Sequence, residues 1–139
     1  MAVCNQLSLA KCRFNPIGTE SGVGGISGGE RKRLNVASEV LTSPTILFAD
    51  EPTTGLDSFM AESVVNVLKS MTASGRTVIA TIHQPSSKIF ELFQDLLLLS
   101  EGRLVYFGDR VGATEWFKRL GFPCPQYTNP ADHIIKVRC

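Results

Sequence analysis

Two short segments limit most strongly what this chain can fold into. The first is Ile26-Ser27-Gly28-Gly29-Glu30-Arg31-Lys32-Arg33-Leu34, and the second is Ile46-Leu47-Phe48-Ala49-Asp50-Glu51-Pro52-Thr53-Thr54-Gly55-Leu56-Asp57-Ser58. In the second, a continuous apolar run ends on two acids. Such a run fits a fully buried parallel strand. Parallel sheets hold ligands outside the carboxyl ends of their strands. In the first, a serine and two glycines open a helix, where free N–H groups and close approach suit an anion such as a γ-phosphate. The G-x-x-x-x-G-K-[ST] loop that cradles nucleotide phosphates occurs nowhere in the chain.

The pattern between and after these segments alternates helix and strand. A helix end is expected over residues 6–12 and a Gly-rich loop over 13–26. From Gly28 a helix runs on Leu34, Ala37, Val40 and Leu41 until Pro44 stops it. Asp57 or Ser58 caps the next helix, whose core face is Met60, Val64, Leu68 and Met71, with Gly75 closing it. Thr77 to Ile82 is β-branched and reads as a second buried strand. A shorter helix covers 86–93. Leu96–Leu99, a buried strand, and Leu104–Phe107 flank a hairpin turn. Residues 111–120 form an amphipathic helix through Val111, Trp116, Phe117 and Leu120. A Pro-rich loop spans 121–130, and 131–137 begin a last helix. The alternation predicts an α/β fold with a parallel sheet in one domain over 1–139.

Composition removes several classes. The chain has 14 Lys and Arg against 13 Asp and Glu, a net charge of +1, so no global field favours nucleic acid. Arg31-Lys32-Arg33 reads as a solvated helix face. Cys4, Cys12, Cys124 and Cys139 form no metal-ligand spacing and read as reduced thiols. No signal peptide and no apolar run long enough to span a bilayer is visible. Trp116, Phe117, Phe122 and Tyr127 are expected as core or packing residues.

Each candidate site residue has a plainer reading. Asp50 and Glu51 alone would be cap or loop acids. Set between Ser27-Gly28-Gly29 and Gly55-Leu56-Asp57, they read as a Mg²⁺ ligand and a base that activates water. Ser27 alone would be a simple cap. His83 follows the second strand, and parallel neighbours end at one sheet edge, so it can face Asp50 and Glu51. A lone histidine is more often structural, and His133 is assigned that role.

These residues resemble the second half of an ABC transporter nucleotide-binding domain. The first segment resembles the signature of the G subfamily, White-type half transporters included, with Glu30 where many ABC proteins carry Gln. The second resembles a Walker B strand with its D-loop. Thr81-Ile82-His83-Gln84-Pro85-Ser86-Ser87 and Asn129-Pro130-Ala131-Asp132 are similar to the same subfamily. The resemblance covers the chain from about Leu7 onward, and implies a partial P-loop NTPase fold with its Walker A half missing.

It also implies ATP and Mg²⁺ as cofactors. Asp50 would serve the metal, Glu51 the attacking water, and His83 the γ-phosphate. Ser27, Gly28, Gly29 and Glu30 would contact ATP held by a second nucleotide-binding domain, in a homo- or heterodimer, and Asp57 would communicate across it. A membrane domain, absent from this sequence, would hold the site at the cytosolic face and export lipid, sterol or pigment-precursor-like cargo. The chain reads as a fragment that neither hydrolyses ATP nor folds well alone. The alternative is a non-catalytic module docking on a complete ABC domain. A DNA-repair ATPase ranks last, because no heptad run is present.

Overall fold

A computed structural model describes residues 2–18 and 24–137. Gly22 of the expected Gly-rich loop and Cys139 lie outside them. The chain divides into two compact units at His83 and Gln84.

The first unit runs α1 (Ala2–Gln6), a 3₁₀ turn (Ala10–Cys12), α2 (Gly28–Leu41), β1 (Ile46–Asp50), α3 (Ser58–Ala73) and β2 (Thr77–Thr81). Helix α3 begins where Asp57 accepts the Met60 N–H at 2.9 Å. Valine is a weak helix former, yet Val64, Val65 and Val67 are all buried there. Tertiary packing therefore outweighs propensity. At its end Gly75 sits at φ +83, where a side chain would be strained. The Gly75 N–H reaches the Thr72 carbonyl and the Arg76 N–H the Met71 carbonyl, a Schellman closure.

Strands β1 and β2 pair in parallel, from Ile46 opposite Thr77 to Asp50 opposite Thr81. One sheet face carries Leu47, Ala49 and Val78 into a core with Leu7, Ala37, Val64 and Leu68. Burying each large aliphatic side chain there contributes about 1.5–3 kcal/mol before entropy is counted. The other face exposes Ile46, Phe48 and Ile79. The two strands are thus buried on one face only, not on both as their apolar run suggests. Strand pleating sends alternate side chains to opposite faces, and the helices cover one of them. Leu41, expected on the inner stripe of α2, is also exposed.

Arg33 corrects the expected solvated basic face. It is buried, and its Nε donates to the Leu7 carbonyl at 2.9 Å. Arg31 and Lys32 are half-buried.

The second unit runs α4 (Ser87–Leu92), β3 (Asp95–Ser100), β4 (Arg103–Asp109), α5 (Arg110–Arg119) and α6 (Pro130–Lys136). Ser86 caps α4, accepting the Ile89 N–H. The hairpin β3–β4 turns through Glu101 and Gly102, both at positive φ, as a two-residue turn of the primed kind demands. Its inner face and the helices bury Phe90, Leu96, Ala113, Phe117, Ala131 and Ile134. Leu97 and Leu99, expected buried, are exposed on the other face beside Phe107 and Leu104. On α5 the core positions are Ala113 and Phe117, whereas Val111 and, just past the helix, Leu120 face solvent and Phe122 is about half exposed. Trp116 packs edge-on against Phe117 at the rim, and Tyr127 is almost wholly exposed. Asn129 caps α6 through the Ala131 N–H and donates to the Pro85 carbonyl at 2.8 Å. That bond ties the Asn-Pro-Ala-Asp and Gln-Pro-Ser-Ser segments together within this unit. His133 Nε2 lies 3.1 Å from the Phe122 carbonyl, the structural role expected of it.

Candidate functional site

The parallel register decides the site. Because Asp50 and Thr81 are paired, β1 and β2 end together, and His83 follows two residues past that shared edge. The Thr81 hydroxyl donates to Asp50 Oδ1 at 2.5 Å. It also accepts the Glu51 N–H at 2.9 Å, and the Thr81 carbonyl lies 3.1 Å from the same N–H. Glu51 sits at φ +44, a left-handed conformation that costs a non-glycine residue about 1–2 kcal/mol. Strain of this kind persists where the surroundings over-determine it, and Thr81 supplies that restraint. The Glu51 carboxylate is engaged as well, since Oε2 accepts the Thr54 hydroxyl at 2.9 Å. Asp50, Glu51 and His83 are all exposed.

The start of α2 is a complete capping box. The Glu30 N–H donates to Ser27 Oγ at 3.3 Å, and the Ser27 N–H donates back to Glu30 Oε2 at 2.7 Å. The Ser27 hydroxyl also donates to that oxygen, at 2.8 Å. These bonds, from the Ser27 N–H first and the hydroxyl second, hold the Glu30 carboxyl below the usual glutamate range. Behind it, burial and then the Glu30 charge push the Cys12 thiol up. Gly28 has open space where a Cβ would stand. A Cβ on Gly29 would lie 3.4 Å from Arg33 Nη1 and from Leu56 Cδ2, so the D-loop abuts this helix start. Asp57 is occupied by its cap on α3.

The donor set can be tested against Mg²⁺. Among the described residues no group of three or more His, Cys, Asp or Glu converges. Asp50 keeps one carboxylate oxygen clear of Thr81. One carboxylate suits Mg²⁺, which retains waters and takes phosphate oxygens, and does not suit zinc or calcium, which need protein cages. The residues present fit a nucleotide-borne Mg²⁺.

Sequence reasoning paired the acids with the helix start but missed Thr81, Thr54 and Arg33. Thr81 carries a signal only once its register with Asp50 is known. Arg33 was hidden among neighbouring charges.

Known proteins share the fold and much of the sequence of this chain. The crystal structure of the ADP conformation of an ATP-binding cassette of an ABC transporter superposes with a TM-score of 0.58 at 20% identity, over 78% of this chain and 40% of that one. The fold is therefore the α/β, P-loop NTPase fold of ABC ATPases. A family profile described as ABC transporter matches residues 2–54, and one described as ABC-2 type transporter matches residues 83–138. Protein white of Drosophila melanogaster is 53% identical over 97% of this chain. ABC transporter G family member 13 of Arabidopsis thaliana is 51% identical over the same share. The broad substrate specificity ATP-binding cassette transporter ABCG2 of Mus musculus is 47% identical over 97%. With these relatives, the chain belongs to the G subfamily of ABC transporters. It spans 20% of the length of each of the three. No helix among the described residues is long and apolar enough to cross a membrane.

Proposed function

We propose that this chain is part of the ATP-binding and ATP-hydrolysing domain of a G-subfamily transporter. Hydrolysis there drives export of a lipid, sterol or pigment-precursor-like substrate. The observation that carries the reading is the single Thr81 hydroxyl bridging Asp50 and Glu51 at the open end of a parallel strand pair. Asp50 would hold Mg²⁺, directly or through water, and the ion would neutralise phosphate charge. Glu51 turns from Thr54 toward water and accepts its proton. His83 senses the γ-phosphate from the same edge. Ser27, Gly28, Gly29 and Glu30 contact ATP gripped by a second nucleotide-binding domain, identical or different, and Asp57 communicates across that interface. The phosphate cradle serving Asp50 and Glu51 must come from outside these 139 residues, so the chain alone is inactive. A membrane domain places the site at the cytosolic face.

The test joins the mass of the natural protein to its ATP turnover. A polypeptide longer than this chain is expected, with turnover that falls about 10²–10⁴-fold in Glu51→Gln while ATP still binds. Undiminished turnover in that variant overturns the catalytic assignment. The missing phosphate loop favours one second reading, a non-catalytic module that docks on a complete ABC domain. A natural protein of this length, bound to such a domain and silent in turnover, would favour it.

A further inference from the structure

Thr81 opens the segment that carries His83 and was given no role of its own, yet its one hydroxyl serves both acids. A hydroxyl has one proton to donate and two lone pairs. Here the proton goes to Asp50 Oδ1, and a lone pair receives the Glu51 N–H. The Thr81 carbonyl takes up the same N–H. Glu51 stands at φ +44 next to this hydroxyl, with its carboxylate held by Thr54. Thr81 is the last residue of β2, opposite Asp50 in register and two positions before His83.

We infer that Thr81 is the positioning residue of the acid pair. Its hydroxyl fixes which Asp50 oxygen is left for the cation and holds the Glu51 backbone in its left-handed turn. The inference rests on the ATPase reading for its effect on turnover, but its geometric part stands on these hydrogen bonds alone. Thr81 acts through Asp50 and Glu51, the two residues its hydroxyl is bonded to. Because Thr81 stands two positions before His83, its hydrogen bonds also link the start of that turn to the acids.

Amide hydrogen exchange and ATP turnover in wild type, Thr81→Ser, Thr81→Val and Glu51→Gln test this. Both are read on the natural protein that carries this chain. The Glu51 amide is expected to be protected in wild type and T81S, and to exchange at least about tenfold faster in T81V. Turnover is expected to fall about 10–100-fold in T81V with KM for ATP unchanged and half-saturating Mg²⁺ raised, because a small misplacement of a reacting group is costly. T81S should restore both. An unprotected Glu51 amide in wild type overturns the inference, and so does a T81S variant that behaves like T81V. If T81V does not fold, those two measurements still decide. If E51Q is silent and T81V is indistinguishable from wild type, Thr81 has no positioning role while the ATPase reading stands. If E51Q keeps full turnover, the ATPase reading falls and the exchange data alone judge the hydroxyl.

Discussion

Arg33 Nε donates to the Leu7 carbonyl across 26 positions, joining the signature helix α2 to the chain just after α1. The bond is buried, and Arg33 Nη1 lies 3.4 Å from where a Gly29 Cβ would stand. The helix start that would meet a phosphate is therefore anchored from behind by a residue of its own motif.

Removing that donor strands a carbonyl in the core. Arg33→Leu should destabilise the first unit by about 1–3 kcal/mol, the usual cost of a buried acceptor left unpaired. Arg33→Lys keeps the charge but loses the planar fork, and should recover only part of it. Urea unfolding read by circular dichroism checks this. An R33L midpoint equal to wild type would mean that the bond contributes nothing net.

Glu30 makes stability depend on acid. Its carboxyl titrates below the ordinary glutamate value, about 4.3, because Ser27 hydrogen-bonds to the ionised form. The unfolded chain then binds the proton more readily than the folded one. The stabilisation is fully present above the unfolded value and is lost as pH falls through the folded one. Between about pH 6 and about pH 3, wild type should lose more stability than Glu30→Gln. Parallel denaturation curves at several pH values measure the difference. Identical slopes for the two proteins would remove Glu30 from the account.

The uncovered sheet face should make this chain associate with itself. Phe48 is 74% exposed, and Ile46 and Ile79 share its face. Exposed apolar strands are templates for further pairing and aggregation. Phe48→Lys is expected to raise the monomer fraction in sedimentation velocity while leaving the unfolding midpoint within about 0.5 kcal/mol, as for surface positions generally. A monomeric wild type would show that the face is not sticky in this chain.

Much of this protein was legible in the chain itself. Local chemistry set the caps at Ser27 and Asp57, because a short oxygen-bearing side chain satisfies helix N–H groups wherever the helix later packs. Gly75 and the turn at Glu101 and Gly102 were legible for the same reason, since backbone angles are local. The strand that delivers Asp50 and Glu51 was visible as an apolar run ending in acids.

What the sequence could not decide is set by register and by which faces find cover. An apolar run does not say whether both of its faces are buried, so Phe48, Leu97 and Leu99 were misjudged. A charge run does not say which charge turns inward, so Arg33 was misread. Thr81 is an ordinary strand threonine until parallel pairing sets it opposite Asp50. Helix caps and turns depend on neighbours a few residues away. The Thr81 bridge depends on two strands 31 positions apart meeting in one register, and only the tertiary structure specifies that.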